Sequence, residues 1–158
     1  MKVALIIYSL TGHTKSVADK IKSLLVSEGH SADYLQINHE PKQENGNPNE
    51  KVVFKDLPDL DAYDTFVFGS YVEAFNLCRV MQQYLQQLNN KSAKAVCLTT
   101  QQFMKSFLGG NQAQKKMKKL LTAKEFSVVG GANVGWKFEE GREQRIYEAA
   151  QKICNLLK

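Results

Sequence analysis

The sequence predicts an α/β protein built on a five-stranded parallel sheet with helices on both faces, a doubly wound arrangement in three layers. Three observations predict it. Five short apolar runs alternate along the chain with segments of helical period. The first run, Val3-Ala4-Leu5-Ile6-Ile7-Tyr8, is apolar without interruption, as befits a central strand covered on both faces. A short polar loop then separates that run from the first helical segment, and sheets of this class take their ligands where loops leave the carboxyl ends of the strands.

Each element follows from its own pattern. Val17, Ile21, Leu24 and Leu25 recur at helical spacing and form one amphipathic stripe. Gly29 ends that helix, and Ala32 to Ile37 predicts a second, weaker strand. Asn38 to Lys51 is polar and carries Pro41, Gly46 and Pro48, the composition of a surface loop. Thr65-Phe66-Val67-Phe68 predicts the third strand, leading into Gly69-Ser70. The next helix presents Leu77, Met81, Tyr84, Leu85 and Leu88 on one face, with Asn76 placed to cap its start. Ala95 to Leu98 reads as the fourth strand, Ala113 to Leu121 as a helix, and Phe126 to Gly131 as the fifth strand. Ile146, Ala149, Ala150, Ile153 and Leu157 stripe the last helix. There is no internal repeat, so residues 1–158 read as one domain, long enough to bury a full core.

The apolar share of 43% and the charged share of 23% are those of a globular chain. No apolar run approaches a membrane span, and the short first run lacks a secretory cleavage site, so a cytoplasmic location away from membranes is expected. Cys78, Cys97 and Cys154 show neither CxxC nor metal-type spacing. Cys97 in its apolar run and Cys154 on its helical stripe read as buried small hydrophobes, and disulfides are not expected. The net charge of +5 owes much to Lys115, Lys116, Lys118 and Lys119. That cluster reads either as a solvated helix face or as a docking patch for an acidic partner. No aromatic residue is interleaved with it, which argues against nucleic acid.

The chemistry concentrates in Ser9-Leu10-Thr11-Gly12-His13-Thr14. The start of a helix carries unpaired N–H groups and partial positive charge, and so attracts an anion. Ser9, Thr11 and Thr14 can add hydroxyl donors, and Gly12 lets the backbone approach closely. No lysine stands in the loop as triphosphate-binding loops require. The pattern is that of a phosphate monoester held by neutral donors; the bland alternative is a hydroxyl-rich turn that caps a helix. The loop resembles the flavodoxin phosphate-binding signature, [ST]-x-T-G-x-T, with every defined position filled. The resemblance extends in type over nearly the whole chain, and the uninterrupted fifth-strand region makes it similar to short-chain flavodoxins. It implies the flavodoxin-like strand order 2-1-3-4-5 and non-covalent FMN, with Ser9, Leu10, Thr11, Gly12, His13 and Thr14 at the phosphate. His13 fills the motif's free position; turned to the phosphate, its imidazolium would strengthen binding at low pH.

By the same resemblance, the loops after the third and fourth strands sandwich the isoalloxazine ring. The first offers Ser70, Tyr71, Val72, Glu73 and Phe75. Related proteins often read Ser-Pro-x-Trp there; Tyr71 stands for the proline and Glu73 for the tryptophan. Tyr71 or Phe75 can supply a stacking face instead. Glu73 either favours the following helix N-terminus or, beside the ring, disfavours added negative charge and lowers the potential. Many flavodoxins place a glycine in this stretch where a peptide can turn over, and Ser70 to Phe75 holds none. The second loop offers Thr99, Thr100, Gln101 and Phe103, followed by the turn residues Gly109-Gly110; its polar groups suit the pyrimidine edge of the ring. Trp136 reads as a packing residue.

The leading expectation is an FMN-binding electron carrier serving redox partner proteins. The alternatives are an FMN-dependent NAD(P)H:quinone-type reductase and a flavin-free binding module on the same fold. The basic charge balance departs from typical acidic flavodoxins, so their usual partners do not transfer. An acidic partner face is the expectation instead.

Overall fold

The computed structural model describes residues 1–41 and 50–158. In chain order the elements are β1 (Lys2–Ile7), α1 (His13–Ser27), β2 (Ser31–Gln36), β3 (Asn38–His39), β4 (Phe54–Lys55) and β5 (Thr65–Glu73). There follow β6 (Asn76–Leu77), α2 (Arg79–Gln87), β7 (Lys94–Gln101), a 3₁₀ turn (Ser106–Leu108), α3 (Gly110–Thr122), β8 (Ser127–Gly135) and α4 (Arg142–Leu157). The main sheet runs β2-β1-β5-β7-β8, and each of those pairings is parallel. This is the expected order 2-1-3-4-5, with β5, β7 and β8 as the third, fourth and fifth strands.

Alternation along the strands explains the two cores. Val3, Leu5 and Ile7 of β1 pack with Val67, Val96 and Leu98 against the apolar stripes of α1 and α4. Ala4, Ile6 and Tyr8 point the other way, joining Phe66, Phe68, Ala95 and Cys97 against α2 and α3. Every residue from Val3 to Tyr8 is therefore buried, which is why the first run had to be apolar at every position. On the α2–α3 side Phe126 sets its ring edge-on to Phe66 at 5.5 Å and to Phe68 at 5.4 Å, a preferred aromatic geometry. All three cysteines are free thiols and buried. No helix among the described residues is long and apolar enough to cross a membrane.

Several boundaries differ from the sequence reading, for one recurring reason: pairing carries strands past the end of their apolar run. The third strand, expected at Thr65–Phe68, runs to Glu73 because Ser70 and Tyr71 pair with Thr99 and Thr100, and Val72 and Glu73 pair back on Leu77 and Asn76. The fourth, expected at Ala95–Leu98, runs to Gln101, and the fifth reaches Gly135 as its partner. Asn76 is not a helix cap. It lies in β6, its side chain accepts from the Leu77 amide, and Cys78 caps α2 by accepting from the Met81 amide. Leu77 likewise belongs to β6, though its side chain joins the same core as Met81, Tyr84 and Leu85. Within the stretch read as a loop from Asn38 to Lys51, Asn38 and His39 pair antiparallel with Lys55 and Phe54. Its residues 42–49, Gly46 and Pro48 included, lie outside the described residues.

The packing yields a stability prediction. Phe126→Ala removes the ring that bridges Phe66 and Phe68, and should cost about 3–5 kcal/mol in urea-unfolding experiments. Truncation of the exposed Phe138 should change stability by no more than about 0.5 kcal/mol in the same assay.

Candidate functional site

The parallel strands of the main sheet all end at one edge, and the loops that leave them converge there. β1 gives way to Ser9–Gly12, β5 to the hairpin turn at Ala74–Phe75, β7 to residues 102–109 and β8 to residues 136–141. Backbone hydrogen bonds continue past the strands and draw these loops together. The Trp136 amide donates to the Gln101 carbonyl at 2.8 Å, and the Lys137 amide to the Gln102 carbonyl at 2.9 Å.

The first loop turns at Gly12, whose φ of +87° favours glycine. A Cβ built there would meet nothing within 4 Å. Backbone conformation, not crowding, is therefore what calls for a glycine. Gly12 offers no side-chain cap to α1, and the first turn holds no acidic residue. The opening amides of the helix thus keep their partial positive charge available to an anion. Ser9 and Thr11 present hydroxyls from the loop, with Ser9 Oγ at 3.4 Å from the Lys15 amide. Thr14 is committed inward: its hydroxyl lies 2.7 Å from that of Thr100, both buried. One of the pair donates to the other, and the acceptor keeps a proton to give elsewhere.

Leu10, Thr11, His13, Tyr71, Val72, Thr100, Gln101 and Gln102 line a single cleft of about 240 Å³. That is smaller than the roughly 300–1,000 Å³ of enclosed ligand pockets, so a planar ligand seated in it keeps an edge in solvent. Burial, with Cys78 and Glu73 nearby, holds the Tyr71 phenol well above its ordinary pKa, so it remains a proton donor. Gln101 is buried and its amide nitrogen donates to the carbonyls of Phe103 and Lys105, which fixes the loop after β7.

Not every expected residue faces the cleft. The Ser70 hydroxyl donates to the Tyr71 carbonyl and the Cys78 thiol. Thr99 donates to Asn133 and accepts from Gln114. Thr99, Thr100 and Gln101 are strand residues, and so are Ser70 to Glu73; only Phe75 and Phe103 of that expected set stand outside the strands. Glu73 accepts from the Arg79 amide at 2.9 Å, which favours the start of α2, one of the two roles expected of it. Phe75 and Phe103 stack on each other, ring centroids 5.8 Å apart, and both are exposed at the rim. The turn beneath them is strained: Ala74 and Phe75 take φ of 46° and 62°, a region unfavourable for residues with a Cβ. Gly109 packs against it, at φ +123°, where a Cβ would come within 2.9 Å of the Phe75 Cα.

Trp136 packs on the α1–α4 core, as expected of it, and its ring also meets the start of α1. Its indole lies flat on the His13 imidazole, centroids 4.2 Å apart and planes 15° apart. The Arg142 guanidinium sits over the same indole at 4.9 Å, and donates to the Trp136 carbonyl. Burial and then Arg142 lower the His13 pKa, which favours the uncharged imidazole. The signal that could have found Trp136 is its position just beyond a strand's carboxyl end.

No family sequence model and no curated protein sequence matches the chain. Solved structures do. A flavodoxin of Streptococcus pneumoniae superposes with a TM-score of 0.64 at 14% identity, covering 98% of this chain and 99% of that one. The chain has the flavodoxin-like fold. A flavoprotein from Lactobacillus acidophilus, solved in complex with FMN, gives a TM-score of 0.65 at 14% identity over 94% of this chain and 98% of its own. Megasphaera elsdenii flavodoxin gives 0.63 at 17% identity, covering 95% and 98% respectively. In this flavodoxin-like chain the loop at the start of α1 is chemically fit for a phosphate monoester: open space at Gly12, an uncapped helix start and neutral hydroxyls.

The buried hydroxyl pair is open to test by a double-mutant cycle. Thr14→Val or Thr100→Val alone strands its partner and should cost about 1–3 kcal/mol. The double variant should cost clearly less than the sum, read from urea unfolding; strict additivity would show that the two hydroxyls do not interact.

Proposed function

We propose that this chain, acting as one flavodoxin-like domain, binds FMN non-covalently and carries electrons between redox partners in the cytoplasm. The observation that carries this reading is the loop Ser9–Thr14, which fills each defined position of the phosphate signature and opens onto the cleft at the carboxyl edge. Backbone amides of the α1 start, with the hydroxyls of Ser9 and Thr11, take the phosphate, while Thr100 holds Thr14 in place behind them. Tyr71 presents its ring to one side of the cleft, and Phe75 and Phe103 shield its rim. Gln101, Gln102 and nearby backbone groups meet the polar edge of the ring. FMN, when bound, supplies one- and two-electron chemistry, and the chain supplies its binding, orientation and electrostatic setting. The open cleft suits outer-edge contact with another protein. On α3, Lys115, Lys118 and Lys119 are exposed and Lys116 half-buried, a basic face suited to an acidic partner surface.

Titration of the apo-protein with FMN tests the site. Flavin fluorescence should quench with 1:1 stoichiometry, and the Ser9→Ala/Thr11→Val variant should bind about ten- to a hundredfold more weakly, as expected for hydrogen bonds lost from a charged group. An unquenched spectrum at any FMN concentration would remove the flavin reading. Replacing the four α3 lysines with glutamate should slow electron transfer to an acidic protein acceptor and reverse the sign of its salt dependence. Unchanged rates would remove the acidic-partner reading alone.

A further inference from the structure

His13 occupies the one position between Gly12 and Thr14 that the phosphate signature leaves free, yet the structure does not leave its side chain free. The imidazole is half-buried, stacked on Trp136 at 4.2 Å, and lines the cleft beside Leu10 and Thr11. Trp136 is in turn fixed three ways. Its amide donates to Gln101, its carbonyl accepts from Arg142 at 2.6 Å, and its ring carries the Arg142 guanidinium. The loop that bears it is braced again by Arg145, which donates to the carbonyls of Gly135, Phe138 and Glu140. A side chain at the first position of α1 is thereby held against the cleft, beside the helix start.

We propose that His13, positioned by Trp136 and Arg142, makes the site select the phosphorylated flavin over the unphosphorylated one, by taking up a proton as the phosphate docks on Ser9–Thr14. This rests on the flavin reading above. In the free protein, burial and the Arg142 cation both oppose a charge on the imidazole. A phosphate dianion beside it reverses that balance. It offsets the field of Arg142 and gives the imidazolium a charge-assisted hydrogen-bond acceptor. The indole face stabilises the same cation. The other ionisable groups around the cleft do not compete for the proton: Tyr71 stays protonated through neutral pH, and Lys15 is paired with Asp19 at 2.6 Å.

The sign follows from linkage. The folded complex binds the proton more tightly than the free protein, so FMN affinity is highest below the free His13 pKa and falls as pH rises through the pKa of the complex. A rise of about one unit corresponds to about a tenfold loss of affinity across that window. The FMN phosphate's own second ionisation, near pH 6, acts in the opposite direction and is common to every variant.

The test uses the full-length apo-protein, titrated with FMN and separately with riboflavin between pH 6 and 8, for the native chain and for His13→Gln. Proton NMR of the imidazole of His13, with and without FMN, gives a second readout on the native chain. Relative to His13→Gln, in which the phosphate's own ionisation acts alone, the native protein should lose about tenfold in FMN affinity as pH rises, and riboflavin binding should be indifferent to pH in both. The His13 resonance should titrate at higher pH in the complex. If FMN binds but the two proteins share one pH profile, or the His13 midpoint stays put on binding, the proposal fails while the flavin reading stands. If FMN does not bind at any pH, both fall.

Discussion

The site depends on one constraint: β1 is buried on both faces from Val3 to its end. An unpartnered polar side chain in a strand sandwiched between two layers would be stranded from water; Val3 to Ile7 accordingly carry none, and the polar loop starts only at Ser9. From there the chain must turn back at once to cover the sheet with α1. The amide of Tyr8 still donates to Gly69, and four residues later Gly12 begins the helix. The polar loop is pinned at the strand's end by what the strand itself cannot contain.

The interior of this fold was legible in the sequence and its edges were not. Continuous apolar runs mark the centres of β1, β5 and β7, and the stripes Val17–Leu25 and Ile146–Leu157 mark helices, because burial acts on each residue locally. The carboxyl ends of strands are different. Ser70, Thr99 and Thr100 are polar and read as loop, but they are buried strand residues whose side chains find partners outside their own strand: Cys78, Asn133, Gln114 and Thr14. No pattern within a short window reports a bond from residue 14 to residue 100. Asn76 shows the same limit in small. Its residue type suits a helix cap, and the hairpin register of β5 with β6 overrides that preference.

The site residues divide along the same line. Of those set by a contiguous motif, Leu10, Thr11 and His13 line the cleft, whereas Thr14 turns inward to Thr100. Those set by tertiary meeting do not follow from residue type. Thr99 has the same side chain as Thr100 and stands next to it, yet alternation sends one hydroxyl to the α3 side and the other to α1. Trp136 and Arg142 are distant from the motif in sequence, yet they reach His13 because α4 packs on the same face of the sheet as α1. An aromatic residue just past a strand end in a parallel sheet can therefore pack on the core and border the ligand-binding edge at once.

The Thr14–Thr100 pair connects these two halves mechanically. Thr14 belongs to the first turn of α1 and Thr100 to the end of β7, next to Gln101, whose amide organises the loop beyond. A phosphate on the α1 start and a ring beside Gln101 would therefore rest on one rigid frame, joined by a single buried bond. Affinity for the two parts of such a ligand would then be coupled through a fixed spacing, with little motion to order on binding. The rim is built otherwise. The Ala74–Phe75 turn holds a strained backbone, and its exposed Phe75 ring stacks on Phe103. The frame fixes the spacing between the α1 start and Gln101, whereas the rim carries the Phe75 ring at the surface on a turn whose backbone no Cβ-bearing residue favours.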